Sequence, residues 1–467
     1  MLPMSVAQIA RVCNGRLADV PDPDSIVSAP VVFDSREATP GSLFVALAGN
    51  TGDGHDHAPA AAARGAVAIL ANRQVGVPAV IVPDVLAAFA LLARHLARQL
   101  TGTQVVAVTG SAGKTSTKDL IAHLLTVAGP TVATHQSFNN EIGLPVTVTR
   151  ADATTRYLVL EMGARGVGHI RDLTEIARPD ISVVLNVGTA HVGEFGGRQN
   201  IAQAKGELIE ALPPGGLAVL NADDPLVRAM APRTLGRIVT FGQRADATVR
   251  ARDVQLNDFG QPTFTLLTPE GTAPVELQLV GGHHVSNALA AAAVAREAGL
   301  TPQQTASLLG QATVQSRWRM EVHELADGVT VINDAYNANP DSMHESLKAL
   351  AAIGRGRDRR TVAVLGHMNE LGADSRSAHE GVGHMVAELG LDQFIAIGGE
   401  EAQWMQQAAT SAGAAAALHL PDQDTALALL RSTLRTGDVV LVKASRSVQL
   451  QQLADKLLQP DAEPAAG

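Results

Sequence analysis

Residues 105–125 read VVAVTGSAGKTSTKDLIAHLL. Four apolar residues run into a glycine turn, Lys114 and Thr115 follow, and an amphipathic run comes after. Main-chain N–H groups of a glycine turn at a helix N-terminus bind phosphate oxygens, helped by the helix dipole. Gly110 and Gly113 let the chain approach closely, with Ser111 and Ala112 between them. Lys114 can reach the β- and γ-phosphates, and the Thr115 hydroxyl, with Ser116 after it, can hold Mg2+. Leu120, Ile121, Leu124 and Leu125 share one helix face, and Gly129-Pro130 stops the helix. A common phosphate loop, G-x-x-x-x-G-K-[ST], has its first glycine where Val108 stands, so this cradle is two residues shorter. The plain alternative is an ordinary strand-turn-helix connection. A cradle by itself says only that a nucleotide binds, as a kinase, an ATPase and an ATP-driven ligase all require.

Working outward, short apolar strands alternate with Ala/Leu-rich helical stretches throughout, which predicts an α/β fold with mainly parallel sheets. The 467 residues fit about three domains, and a hydrophobic fraction of 46% supplies their cores. Residues 1–100 form a first unit, with two strands around a polar turn in APVVFDSREATPGSLFVAL and a helix in VLAAFALLARHLARQLTG. Residues 101–313 form a second, with strands at 105–108, RYLVLEMG, ISVVLNVG and LAVLNADD and an Ala-rich helix at VSNALAAAAVAREAGL. Residues 314–467 form a third, with strands at VTVIND, TVAVLG, QFIAIGG and VVLVKAS.

Composition excludes several classes. A net charge of -10 argues against a nucleic-acid or acidic-membrane partner. The basic run RGRDRR at 355–360 reads as a solvated loop. With Cys13 as the one cysteine, no disulfide framework or cysteine zinc site is possible. The N-terminus lacks a signal-peptide pattern, and no apolar run approaches the roughly 20 residues of a membrane span. The chain is therefore expected to be soluble and cytoplasmic.

In open parallel sheets, ligands bind beyond the carboxyl ends of the strands. Glu161 ends YLVLE, Asn186 ends ISVVLN, and His191 follows shortly after. Glu161 and His191 could join Thr115 around a phosphate-held metal. Mg2+ prefers hard oxygen ligands, which suits Glu161 better than His191. Lys205 lies in the amphipathic NIAQAKGELIEAL. One turn away stand Ile201, Ala202, Leu208 and Ile209, so no acidic partner is in register. By spacing alone, Lys205 reads as an unpaired, solvated lysine.

The ordered strings TGSAGKTSTK, SFNNEIGLPVTV, LEMGARGVGHI, LNVGTAHVGEFGG, AKGELI, NDAYNANPDSM and LVKASRS resemble those of the Mur ligases over nearly the whole chain. The most specific are FNNEIGLP and DAYNANPDSM. The resemblance accounts for the short cradle. It implies a domain for a UDP-sugar, a central P-loop ATPase-like domain on a parallel or mixed sheet, and a C-terminal Rossmann-like domain admitting an amine. It is nearest to the branch that joins D-Ala-D-Ala to UDP-N-acetylmuramoyl-tripeptide, using ATP and two Mg2+ ions, as a monomer. A sister ligase adding a diamino acid would be expected to show a Tyr-Ala-His-Thr-Pro-like string where this chain has YNANP.

The same resemblance implies residue roles. Lys114 acts with Glu161, His191 and Lys205 in catalysis. Thr115 and Glu161 hold one Mg2+; His191 and a carbamylated Lys205 hold the second. Asn287 contacts adenine and Asp334 the ribose. Arg319, in preference to Arg317, reaches the phosphates. Asp34, Ser35 and Arg36 contact the UDP-muramoyl group beside GDGHDH at 52–57, with Asn139 and Asn140 facing the same substrate. Tyr336, Asn337 and Asn339 line the dipeptide pocket, with Lys443, Ser445 and Arg446 near that cleft. Four departures stand out: His367, GHHVSN at 282–287, Gln451 at a frequently acidic position, and Ala444 where glycine is usual, which places a methyl near the expected pocket.

Overall fold

The computed structural model describes residues 1–49, 52–189 and 192–459. His191 lies outside the described residues. Each of the three expected units carries its own main sheet.

The central sheet has nine strands. Its parallel part runs Arg237–Gly242, Leu217–Asn221, Ile181–Val184, Gln104–Thr109, Tyr157–Glu161, Thr131–Ala133. Side chains on a strand alternate between faces. Val106 and Val108 therefore enter one core, with Leu120, Ile121 and the Ala-rich helix His284–Glu297. Ala107 enters the other, with Ile170, Ile201 and Leu208. The four central strands read from the sequence all form. The strands Val249–Leu256, Pro262–Thr268 and Gly271–Glu276 extend the sheet, the last two pairings antiparallel, which makes it mixed. The sequence reading had no element there, because these strands alternate apolar and exposed residues and lack a continuous apolar run.

The C-terminal sheet runs Glu321–Glu324, Thr330–Asn333, Val439–Lys443, Thr361–Leu365, Gln393–Ile397, Ala417–Leu420, all parallel except the first pairing. The four expected strands are the buried ones; the two partly exposed edge strands were not anticipated. In the first unit, Val31–Val32 and Leu43–Val45 pair in parallel around the short helix Ser35–Glu37. The helix Val85–Gln99 serves two cores. Phe89, Leu92 and Leu96 face the first unit, and Ala93 faces the central sheet. Val146 of the central helix Gly143–Arg150 reaches into the first unit's core.

The third unit is docked on the central one. Ser316 donates to Asp119 of the cradle helix at 2.7 Å. Thr189 donates from N and Oγ1 to Asp341 at 2.7 and 3.0 Å. Between the two lies a cleft of about 930 Å3.

Candidate active site

The cradle strand Gln104–Thr109 lies between Tyr157–Glu161 and Ile181–Val184, and residues 111–116 beyond its carboxyl end line the cleft. Gly113 has φ +81 and caps the helix Lys114–Leu125. The first N–H groups of that helix have no intrahelical acceptor and face the cleft as anion donors. Ser111 and Ala112 are arranged differently. Both main-chain N–H groups donate to Asn186 Oδ1 at 2.9 Å, and Asn186 Nδ2 donates to Ala112 O at 3.1 Å. A phosphate would have to take those two donors from Asn186. Lys114 Nζ donates to Gly110 O at 2.8 Å, folded back along the loop. Burial lowers its pKa, with Glu161 opposing the shift.

Thr115 Oγ1 donates to Glu161 Oε2 at 2.8 Å. Glu161 is 1% exposed. Its other oxygen accepts from Asn139 Nδ2 at 2.6 Å, so the carboxylate is aimed from both ends. From the C-terminal unit, Arg319 Nη2 donates to Thr115 Oγ1 at 3.1 Å and to Ser137 Oγ at 2.9 Å. The Arg319 guanidinium lies 4.2 Å from the Tyr336 ring centroid, and its buried Nε has no hydrogen-bond partner among the described residues. Arg317 turns elsewhere, to Asp455 at 3.6 Å.

Lys205 departs from the reading by spacing. It is 4% exposed, inside the helix Arg198–Glu210 and at the wall of the cleft. Among the described residues, no hydrogen bond or ion pair holds its ammonium. Burial pushes its pKa well below the ordinary lysine value, and the Lys114 charge pushes the same way. The spacing points to a solvated lysine, but Lys205 is buried. Its neighbour Glu207 turns away and caps the helix His169–Ile176 through Gly168 N at 2.6 Å.

Asp334 and Lys443 meet at 2.6 Å where their strands run in parallel. Asp334 also accepts from Ser346 Oγ at 2.7 Å and from Met320 N at 3.1 Å. Lys443, expected beside the dipeptide, is committed to Asp334 and to Asn337 O. Asn287 lies against Gly113, Tyr336 and Asn337 line the cleft, and Asn339 there caps the helix Pro340–Arg357. Asn140 caps the turn at Gly143 N, 2.9 Å. Ala444 is fully buried among Val442, Leu450 and Leu453, so its methyl faces the core and leaves the cleft unchanged.

Asp34, Ser35 and Arg36 do not line the cleft. Asp34 caps its own turn through Arg36 N at 2.9 Å and pairs with the Arg36 guanidinium at 2.6 Å, and these bonds hold its carboxyl down to about 2. The turn is tied to the central unit through Phe33, whose ring lies 5.9 Å from that of Phe138, just before Asn139.

Three family models cover the chain: the Mur ligase family catalytic domain over 30–99, the Mur ligase middle domain over 108–295, and the Mur ligase glutamate ligase domain over 318–446. The UDP-N-acetylmuramoyl-tripeptide–D-alanyl-D-alanine ligase of Mycobacterium tuberculosis is 46% identical, over 99% of each chain. The chain belongs to the Mur ligase family. MurF from Acinetobacter baumannii matches this Mur ligase with a TM-score of 0.86 at 29% identity, over 98% of this chain and 99% of that one. MurF from Thermotoga maritima, solved in complex with ADP, matches with a TM-score of 0.79 at 31% identity, over 92% and 97%.

Residues unnoticed or left without a role in the sequence complete the Mur ligase cleft. Asn186 stood out only as a strand end, yet it grips the cradle. Ser137, adjoining the string FNNEIGLP, receives Arg319. Asp341, inside DAYNANPDSM, receives Thr189. No spacing rule joins residues 182 or 152 positions apart.

Gly113→Ala is expected to weaken ADP binding at least tenfold in a calorimetric titration. The left-handed φ disfavours any side chain, and the added Cβ would sit 2.5 Å from Asn287 Oδ1. Unchanged ADP affinity would mean that the loop is not the phosphate cradle.

Proposed function

We propose that this Mur ligase joins D-Ala-D-Ala to UDP-N-acetylmuramoyl-tripeptide, forming the UDP-pentapeptide peptidoglycan precursor with release of ADP and phosphate. The observation that carries the reading is Arg319, which crosses from the C-terminal unit to Thr115 beside Glu161. A phosphate site completed by another domain suits an enzyme that activates one substrate and then admits a second. The choice of substrates is supported by the printed names of relatives that align end to end.

In the proposed sequence, the tripeptide carboxylate attacks the γ-phosphorus of ATP and ADP leaves, giving an acyl phosphate. The dipeptide amine then attacks the acyl carbon, loses a proton, and phosphate departs with its bonding electrons. Lys114 and Arg319 would spread the charge of the transferring phosphoryl group. Asn287 would meet adenine and Asp334 the ribose; Asp334 Oδ1 accepts one bond and has room for another. The docked C-terminal unit would keep water from the acyl phosphate.

The Thr115 hydroxyl and Glu161 carboxylate, hard oxygens beside the cradle, fit Mg2+. Among the described residues no cluster of three or more His, Cys, Asp and Glu side chains could hold a metal. A second ion would need His191 and a carbamate on Lys205. Bound Mg2+ would supply charge neutralisation at the phosphates. An ammonium repels a cation, whereas a carbamate offers two anionic oxygens. Carbamylation requires a neutral amine, which then adds CO2 and releases a proton. Burial drives Lys205 toward that form.

The same reading takes the domains as 1–100, 101–313 and 314–467, with Asp34, Ser35, Arg36, Asn139 and Asn140 on the UDP-tripeptide side and Tyr336, Asn337 and Asn339 on the dipeptide side. It also takes the enzyme as a cytoplasmic monomer; among the described residues no helix is long and apolar enough to cross a membrane.

Phosphate release across a substrate matrix tests the function. Tripeptides ending in meso-diaminopimelate or L-lysine would be offered with D-Ala-D-Ala, with single amino acids, or alone. Release is expected only with tripeptide and dipeptide together, and the preferred tripeptide names its diamino acid. Turnover with a single amino acid would move the chain to a sister ligase. Hydroxylamine added to tripeptide and ATP should give a hydroxamate, which a phosphate ester would not.

A further inference from the structure

The stretch 186–189 is pinned at every residue, alternately to the cradle and to its surroundings. Asn186 holds the N–H groups of Ser111 and Ala112. Val187 N donates to Asp224 Oδ2 at 2.8 Å, and Val187 O accepts from Arg198 Nη2 at 2.7 Å. Gly188 N donates to Ser111 Oγ at 3.0 Å. Thr189 then gives both its donors to one oxygen of Asp341, in the first turn of the C-terminal helix Pro340–Arg357. A methyl on Gly188 would overlap that carboxylate. Glycine here is explained by the approach of the other domain.

A short path therefore runs from the phosphate loop through Ser111 and Gly188 to Asp341. Arg319 approaches the same cradle at Thr115. The C-terminal unit thus meets the cradle region at Ser316–Asp119, Arg319–Thr115 and Asp341–Thr189, and the last is reached by no expected substrate contact.

We propose that Asp341 is a positioning residue that latches the C-terminal domain to the segment beside the cradle loop, and so holds the amine-admitting domain in place. This inference rests on the ligase reading above. It places Asp341 outside the chemistry: its carboxylate acts through Thr189, by holding the domain that receives the amine substrate. Accepting two hydrogen bonds on one oxygen requires an oxygen at that place and no net charge. Asparagine can supply the oxygen; alanine cannot.

The test compares the full-length enzyme with D341A, D341N and T189V. Three quantities are measured: the calorimetric Kd for ADP, the KM for D-Ala-D-Ala at saturating ATP and tripeptide, and the radius of gyration by X-ray scattering with and without ADP. D341A is expected to raise the dipeptide KM at least tenfold and to expand the ADP-bound particle, with ADP Kd changed less than threefold. T189V, which loses one of two donors, should fall between D341A and wild type. D341N should stay within about threefold of wild type in KM. A dipeptide KM within twofold of wild type in D341A overturns the latch. So does an equal loss in D341A and D341N, which would make the charge the working property. If D341A does not fold, T189V decides alone: an unchanged KM and particle size overturn the proposal. Wild-type enzyme that releases phosphate without needing the dipeptide would instead sink the ligase reading and leave the scattering comparison to judge the latch.

Discussion

Lys205→Ala is expected to lower turnover by roughly a thousand-fold or more, the scale of several kcal/mol of lost charge stabilisation at a phosphoryl group. A short carboxylic acid added to the variant should restore part of it. The argument starts from burial. Lysine is seldom fully buried unless paired. Here the side chain is 4% exposed at the cleft wall, and no described residue pairs with it. Desolvation disfavours the charged form and Lys114 adds repulsion, so the amine is driven toward neutrality. A neutral amine is the form that adds CO2. A carbamate there would face the cleft as an anion. Because the reacting form is the deprotonated one, occupancy of the carbamate should rise with pH and fall on acidification. Enzyme exchanged into 13C-bicarbonate should show a carbamate carbonyl resonance that follows this trend and is absent from the variant. Turnover by Lys205→Ala close to wild type would remove the carbamate from the mechanism. Loss without rescue by any small carboxylate would leave Lys205 a packing residue.

Lys443→Met is expected to destabilise the C-terminal unit by about 3–5 kcal/mol, because it leaves a buried carboxylate without its countercharge. Asp334 is 7% exposed and Lys443 2% exposed. Without Lys443, Asp334 keeps only the Ser346 hydroxyl and the Met320 N–H. Native domains are stable by about 5–15 kcal/mol, so this is a large share. The C-terminal transition in calorimetry should fall by about 10 °C. Lys443→Met combined with Asp334→Asn should recover part of the loss, since removing both charges removes the uncompensated one. A single variant within about 2 °C of wild type would show that the pair contributes little. The same variant should bind ADP more weakly, because Asp334 also fixes Met320 N and hence the approach of Arg319.

Much of the molecule was legible in the sequence because the signals were local. The phosphate cradle depends on neighbours within a few residues: apolar strand, glycine turn, Lys114, Thr115, helix. The buried parallel strands appear as short apolar runs, and all four expected in each of the two larger units are present. The edge strands Glu321–Glu324 and Ala417–Leu420 and the sheet extension at 249–276 lack that signal, because one face of each meets solvent. The departures from the family pattern were legible as substitutions but not as geometry. Ala444 reads in the sequence as an intrusion into a pocket, whereas its methyl packs in the core with Val442, Leu450 and Leu453.

By itself the sequence determined the fold class, the cradle and the list of residues able to serve it, since strand, turn and helix preferences act over short spans. Tertiary structure decided which of them meet. It buried Lys205 at the cleft wall, aimed Glu161 between Thr115 and Asn139, and turned Arg319 rather than Arg317 into the cradle. It also set Asp341 on Thr189, a contact of 152 positions that only domain docking creates. The physical reason is common to all of these. Burial and hydrogen-bond geometry are properties of the surroundings a side chain ends up in, and those surroundings come from distant segments of chain.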